Sequence, residues 1–177
     1  RKLNFNSSLD YIADRHGVLD TREARLGGGF DFQDGDVLRF TYGRNFERLQ
    51  TPFRIAGGGG TVPVGDYRWN RYTTEYTVFS GKILSGRFRF ERSGFYDGSI
   101  STFSATPLWR PSANLSTAPG FAWNRITRNN GSFDTRELNW VLNYAFNQRW
   151  MTRSTMVLNS QDHNVLLNFR LRYLYKP

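Results

Sequence analysis

The feature that most constrains this chain is an alternation of apolar and polar residues with a period of two, which recurs along most of its 177 residues. In residues 138–146 the even positions are large and apolar, whereas the odd positions include Asn139 and Asn143. Residues 84–91 and 167–175 repeat the scheme. Consecutive side chains point to opposite faces of a β-strand, whereas a helix has a period of 3.6 residues. The alternation therefore predicts strands.

Turn residues separate the alternating segments, and each segment is about as long as the 9–11 residues that a tilted strand needs to cross a bilayer. We predict an all-β fold: an antiparallel, up-and-down transmembrane β-barrel of about ten strands, or a part of a larger barrel. The single domain spans residues 1–177, with a long outer loop at about 46–66. The strands are expected at 2–13, 21–33, 37–45, 67–78, 84–94, 100–110, 114–126, 134–146, 149–159 and 164–175.

The connections between these segments are expected to alternate in length. Tight turns are predicted at 34–36, 80–82, 111–113 and 147–148, whereas the glycine run 57–60 lies in the longest connection. Short turns at one end and longer loops at the other are typical of the periplasmic and extracellular ends of membrane barrels. Both chain ends are therefore expected on the periplasmic side.

Composition excludes several classes of site and fold. The chain has no cysteine, which rules out disulfides and thiolate metal sites, and its two histidines argue against a histidine metal centre. We expect no metal and no cofactor. Only 38% of the residues are hydrophobic, yet 16% are aromatic. No segment approaches the ~18 consecutive apolar residues of a transmembrane helix.

Two environments accept strands that have one apolar face. In a soluble β-sandwich the apolar faces pack on each other, whereas in a membrane barrel they meet lipid and the polar faces line the interior. Aromatic residues near both ends of the predicted strands favour the barrel, because such rings anchor at the membrane interfaces. The lipid-facing girdle is predicted to comprise Tyr11, Tyr42, Trp109, Trp123, Trp140, Phe146, Trp150, Tyr173 and Tyr175.

The opposite face carries ionisable residues of both signs, which must pair across strands or border water. The lumen-lining set is predicted to comprise Arg25, Arg39, Glu75, Arg87, Arg89, Glu91, Arg110, Glu137, Arg153, Arg170 and Arg172. Two interpretations remain open: a structural Arg–Glu ladder that fills the interior, and a net-basic lumen that favours anions. The formal net charge is +9, but the basic residues are dispersed, so we expect no nucleic-acid partner.

Six segments of the chain together resemble one family of bacterial outer-membrane proteins of uncharacterised function. They are residues 46–53, 65–69, 94–98, 109–112, 142–146 and 171–177. In that family the barrel follows an N-terminal domain resembling the family-nine carbohydrate-binding modules. The resemblance implies a surface barrel without established catalytic residues. It also implies that this chain, which lacks that module and stops before the usual final strand, corresponds to the later part of a larger barrel.

The expected function is a passive, porin-like channel or transporter, or an envelope scaffold, in the outer membrane of a Gram-negative bacterium. The expected partners are the lipid bilayer and lipopolysaccharide, with other envelope proteins as further candidates. The alternatives are a structural subunit that docks another envelope complex through its outer loops, and a soluble carbohydrate-binding β-sandwich.

Catalysis is not expected. His16 and His163 lie in or beside predicted outer loops, and nothing in the sequence places a nucleophile beside His163 and Asp162. The segment 31–36 contains three aspartates, but a tight turn explains it better than a calcium loop does.

One local irregularity is predicted. Pro107 and Pro119 fall opposite each other in neighbouring strands. Because proline cannot donate to the ladder, a bulge or weak pairing is expected there.

Overall fold

The structure is a computed structural model that describes residues 1–55, 60–129, 131–160 and 164–175. Within these ranges the chain consists of twelve β-strands joined by turns and loops. The strands are β1 (Lys2–Ala13), β2 (Leu19–Asp31), β3 (Val37–Leu49), β4 (Phe53–Arg54), β5 (Thr61–Val62), β6 (Gly65–Val78), β7 (Leu84–Phe95), β8 (Gly98–Ser112), β9 (Leu115–Arg128), β10 (Gly131–Ala145), β11 (Trp150–Asn159) and β12 (Asn164–Tyr173). In the described part of the chain no helix is long and apolar enough to cross a membrane.

Ten of the twelve described strands form one antiparallel sheet in which each strand pairs with its neighbours in chain order. The remaining two, β4 and β5, form a small hairpin within the connection between β3 and β6. The predicted all-β, antiparallel, up-and-down arrangement is thus confirmed, and all ten predicted strands are present with ends shifted by a few residues. The sequence did not predict β4 and β5, because two-residue strands are too short to show an alternation.

The sheet does not close into a barrel. Among the described residues, β1 pairs only with β2 and β12 pairs only with β11, so both remain free edges. Closure requires a consistent tilt and stagger around the whole ring, which depend on strand number and register. An alternation within a single strand carries no information on the tilt or the stagger of the sheet.

Strand register assigns every residue of the sheet to one of two faces, because directly opposite residues point to the same side. Leu138 lies opposite Phe121 and Leu158, whereas its neighbour Glu137 lies opposite Ala122 and Asn159. We call the face of Leu138 the apolar face and the other the polar face. Residues of the apolar face include Leu3, Phe5, Leu26, Phe30, Phe40, Tyr72, Phe88, Phe103, Leu142 and Phe169.

This sheet has almost no hydrophobic core. In the described residues the buried hydrophobic side chains are Phe46, Val62 and Ile126. Large apolar side chains of the apolar face are instead exposed, to 82% for Phe5 and 69% for Leu167. A soluble domain of this length buries a much larger apolar interior.

The ladder between β8 and β9 is interrupted where two prolines meet. In the described structure, paired residues stop at Ala105 and Phe121 and resume at Trp109 and Thr117, so Pro107 and Pro119 lie in the gap. The predicted weak pairing is confirmed. On the other side of β8, Gly86 adopts a φ of +144°, and a Cβ there would lie 2.6 Å from Cα of Pro107.

The turn predicted at 111–113 is wrong in its position. β8 continues through Ser112, and only Ala113 and Asn114 separate it from β9. A Pro-Ser pair is common in turns, but the fixed φ of proline also suits an extended chain at a strand end.

Candidate functional site

The polar face of the sheet carries the charged residues that the sequence singled out. Register places the whole predicted lumen-lining set on this face. One row across the sheet brings Arg39 opposite Glu75 and Glu75 opposite Arg89. The alternation alone was enough to assign these residues to one face.

Ion pairs link β2, β6 and β7 into a charged ladder, which we define as Glu23, Arg25, Arg71, Arg89 and Glu91. Arg71 stands between two carboxylates: its Nη1 donates to Glu23 Oε1 at 3.1 Å, and its Nε lies 3.6 Å from Glu91 Oε1. Arg89 donates to Glu91 at 2.6 Å, and Arg25 donates to Glu23. In this half of the face, acids and arginines are matched.

The sequence missed Arg71, the residue that connects the two carboxylates. Its position in β6, between Trp69 and Thr73 on the same face, was the available signal. Gly43 lies opposite Arg71, and a Cβ there would lie 3.5 Å from Cβ of Arg71. That distance is an ordinary van der Waals contact, so the Arg71 side chain does not require a glycine at this position.

The other half of the polar face is cationic. Arg153 and Arg170 lie directly opposite each other on β11 and β12. Together with Arg110 and Arg172 they line a concavity of about 550 Å³, which includes Asn143 and no acidic residue among its described lining. We call these four arginines the inner arginine group. Like charges placed directly opposite each other repel, so this arrangement favours a counter-anion or water.

The β4–β5 hairpin packs against residues of the polar face at the end of the sheet opposite the chain termini. Phe53 packs edge-on against Tyr96, with ring centroids 5.2 Å apart. The Tyr96 ring also contacts Tyr67 and Trp69, and its hydroxyl lies 3.2 Å from Glu47 Oε2, to which it donates. The pKa of Tyr96 is raised to about 12, mainly by burial of the hydroxyl and next by the negative charge of the Glu47 carboxylate. The hairpin is therefore held by an aromatic cluster.

A buried guanidinium holds the same hairpin in place. Arg128, at the end of β9, donates to both carboxylate oxygens of Asp97 at 2.7 and 3.0 Å and to the carbonyl of Thr61 at 3.2 Å. The hydrogen bonds from Arg128 hold the pKa of Asp97 below its ordinary value. Arg128 thus connects β9, the β7–β8 turn and the hairpin. The long outer loop predicted at about 46–66 contains this hairpin, with β3 and β6 extending to 49 and from 65.

The predicted girdle residues within the strands all lie on the apolar face, but not all near strand ends. Trp150 and Tyr173 pair at the end near the chain termini, with ring centroids 4.7 Å apart. Tyr42 and Trp140 lie nearer the middle of their strands. The remaining members in strands are Tyr11, Trp109 and Trp123, while Phe146 and Tyr175 follow strand ends.

The turn at 34–36 is confirmed, with Gly35 at a φ of +87° and the amide of Phe32 donating to the carbonyl of Asp36. Its carboxylates hold an ammonium group: Lys82 donates to Asp34 at 2.7 Å and to Asp36 at 2.6 Å. Hydrogen bonds from Lys82, the amide of Phe79 and the hydroxyl of Tyr76 lower the pKa of Asp36 to about 2. Asp34 and Asp36 thus join two neighbouring turns through Lys82.

The two histidines divide between described and undescribed segments. His16 lies in the exposed β1–β2 turn, with Nδ1 3.8 Å from Asp14 Oδ2. His163 and Asp162 lie outside the described residues, as does the glycine run 57–59.

Comparison with protein families, with curated proteins and with solved structures finds no match for this chain.

Proposed function

We propose that this sheet forms part of the wall of a β-barrel in the outer membrane of a Gram-negative bacterium. Its apolar face meets lipid, and its polar face lines a water-filled, net-basic interior that passes small anionic or polar solutes. The β4–β5 hairpin narrows the outer mouth of this path. The family resemblance noted from the sequence agrees with this proposal.

One observation carries the proposal: the sheet separates apolar from ionisable side chains but buries almost none of the apolar ones. Leu167, Phe169 and Leu171 of β12 are each at least half exposed. In water, an apolar surface of this extent drives association or aggregation. In hydrocarbon, exposure of this apolar surface carries no free-energy penalty. The backbone hydrogen bonds of the ladder satisfy the polar groups of the paired strands.

The size of the apolar band fits a bilayer. On β12 the apolar positions of that face run from Val165 to Tyr173, which at ~3.3 Å per residue covers roughly 26 Å along the strand. A tilt of about 40° reduces this to about 20 Å along the membrane normal, close to the ~25 Å band of known membrane barrels.

The preference for anions follows from the unequal halves of the polar face. Each arginine of the charged ladder has a glutamate partner, whereas the inner arginine group has no carboxylate within 4 Å among the described residues. Guanidinium groups that border water and lack acidic partners raise the local concentration of anions.

The test is planar-bilayer conductance in an asymmetric potassium chloride gradient. We expect a reversal potential that indicates permeability to chloride above that to potassium. Arg153→Gln combined with Arg170→Gln is expected to move the reversal potential towards zero, because it removes two of the four charges in the concavity. Arg15→Gln, in the exposed β1–β2 turn, is the matched control and is expected to leave it unchanged.

A reversal potential that indicates cation preference in the unsubstituted protein would contradict the anion path. Absence of any conductance would remove the open pore.

A second candidate is an envelope scaffold that docks other chains. The free edges β1 and β12 favour it, because unpaired strand edges accept further strands. Purification of the protein from native membranes discriminates: a scaffold co-purifies with defined envelope partners, whereas a solitary pore does not. The soluble carbohydrate-binding alternative needs a second layer over the apolar face and predicts solubility without detergent.

A further inference from the structure

Apart from Arg48, which pairs with Asp66, six arginines lie on the apolar face, at the end of the sheet that carries the β4–β5 hairpin. They are Arg22, Arg44, Arg68, Arg92, Arg125 and Arg136, on β2, β3, β6, β7, β9 and β10. Register places them on the side that also carries Leu26, Tyr42 and Phe103. We call them the arginine belt.

Five of the six members lie two residues from an apolar residue of the same face, and Asn70 stands between Arg68 and Tyr72. Arg92 lies two residues beyond Phe90, and Arg136 lies two residues before Leu138, on the same face. Arg44 likewise follows Tyr42. The belt therefore follows one border of the apolar band over seven of the ten strands of the sheet, from β2 to β10, with no member on β8.

The other border of the same band has a different chemistry. The last apolar-face positions near the chain termini are Leu3, Phe30, Trp109, Tyr144, Trp150 and Tyr173. Aromatic and aliphatic residues thus end the band on that side, and arginines end it on the other. If both ends of the sheet met water, this difference would have no explanation. Two membrane interfaces of different chemistry would explain it.

Most of the belt lacks an internal counter-charge. Among the described residues, Arg22, Arg44, Arg92 and Arg136 have no carboxylate within 4 Å. Arg125 has only a 3.9 Å approach to Asp134, and the guanidinium of Arg68 lies over the Phe46 ring at 5.4 Å. The nearby Arg48 differs, since Asp66 neutralises it through two hydrogen bonds at 2.9 and 3.3 Å.

We infer that the arginine belt binds the phosphate groups of lipid headgroups in the leaflet that meets the hairpin end of the sheet. This inference rests on the proposed membrane function, because it needs the apolar band to lie in hydrocarbon. Each long side chain packs its methylene groups along the band and places its guanidinium at headgroup depth. The planar fork of arginine donates two parallel hydrogen bonds to one phosphate, which an amine cannot do.

The experiment measures which lipids the inserted full chain holds at its surface. The chain is folded into phosphatidylcholine bilayers that contain trace spin-labelled phosphatidic acid or spin-labelled phosphatidylcholine, and electron paramagnetic resonance gives the relative association of the two probes. We expect the native protein to prefer the phosphatidic acid probe by about fivefold or more. Arg44→Gln combined with Arg92→Gln and Arg125→Gln is expected to bring the ratio close to one.

A control on the polar face is Arg87→Gln combined with Arg89→Gln, which is expected to keep the native preference. Arg92→Lys retains the charge but lacks the bidentate fork. Its ratio is expected to lie between that of the native protein and that of Arg92→Gln. Excess inorganic phosphate in the buffer is expected to leave the ratio of the two probes unchanged. If the belt bound soluble phosphate instead of lipid headgroups, the added phosphate would displace the phosphatidic acid probe.

The outcomes separate this inference from the function on which it rests. If the chain inserts and conducts but shows no preference for phosphatidic acid, or if the triple variant keeps the preference, the arginine belt has another role. If it inserts into neither bilayer, and stays soluble without detergent, both the belt and the proposed function are wrong.

Discussion

At the residue scale, the protein is organised by the difference between neighbours in sequence. Leu142 lies on the apolar face opposite Thr117 and Ser154, whereas Asn143 lies on the polar face opposite Ser116 and Arg153. One peptide bond therefore separates side chains that lie on opposite faces of the sheet. A charge introduced on one face of β10, compared with a charge introduced on the other face, tests this directly.

If the proposed membrane function is right, Leu142→Arg is expected to destabilise the inserted protein by about 2–4 kcal/mol, because a guanidinium within the apolar band loses its hydration. Asn139→Arg, on the polar face of the same strand, is the matched control and is expected to change stability by about 0.5 kcal/mol or less. Urea unfolding from phosphatidylcholine vesicles, followed by tryptophan fluorescence, measures both. Equal penalties would show that the faces are assigned wrongly.

The turn around Asp36 predicts a dependence of stability on pH. Hydrogen bonds lower its pKa from 3.8 to about 2 in the folded protein. The ionised form is thus favoured by folding, so its contribution is complete above about pH 4 and is lost as the pH falls towards 2. Asp36→Asn is expected to reduce the difference in thermal midpoint between pH 6 and about pH 2.5.

Lys82→Gln provides a second variant for that prediction. It removes the main hydrogen-bond donor to Asp36 but keeps the carboxyl group, so the loss of stability should begin at a higher pH than in the native protein. An unchanged pH profile in both variants would contradict the role given to this turn.

At the element scale, the β4–β5 hairpin is the part of the fold that departs from a plain meander. Its Val62 is fully buried, although the strand has only two residues. The hairpin is anchored by the packing of Phe53 on Tyr96, in the β7–β8 turn, and by hydrogen bonding from Arg128, in β9, to the carbonyl of Thr61. Its position therefore depends on contacts with strands distant in the chain order.

Arg128→Gln is expected to release the hairpin, because charge-assisted hydrogen bonds of this kind contribute roughly 1.5–3 kcal/mol. Amide hydrogen exchange at residues 61–62 is expected to accelerate by about tenfold or more. Arg125→Gln, on the opposite face of the same strand, is the control and should leave that exchange unchanged. Equal exchange in native protein and Arg128→Gln would mean that aromatic packing alone holds the hairpin.

At the scale of the whole molecule, the sheet is a wall with two free edges. Central strands such as β6 and β7 pair on both sides, whereas in the described residues β1 and β12 pair on one side only. Backbone groups that lack a ladder partner must meet water or another strand, and in the proposed membrane setting the bilayer interior would offer them neither donor nor acceptor. The isolated chain is thus expected to be least stable at its edges.

Hydrogen exchange across the isolated chain in detergent is expected to be fastest in β1 and β12 and slowest in β3, β6 and β7. The reason is that opening an edge strand breaks one ladder, whereas opening a central strand breaks two. In protein extracted from native membranes, the amides of β1 and β12 are expected to exchange more slowly if further strands pair with these edges. Edge amides as protected as central ones in the isolated chain would show that β1 and β12 pair with each other.

The sequence by itself determined the ten long strands and their faces, because a period of two is a property of each segment and needs no partner. Parity alone places the predicted lumen-lining residues and the predicted girdle residues within the strands on opposite faces, as Glu137 and Leu138 illustrate. Only the tertiary structure decided that Arg71 joins Glu23 to Glu91, that Arg153 faces Arg170, that the hairpin packs on Tyr96, and that the edges stay open. Each of these depends on register between segments or on packing between loops, which no local pattern encodes.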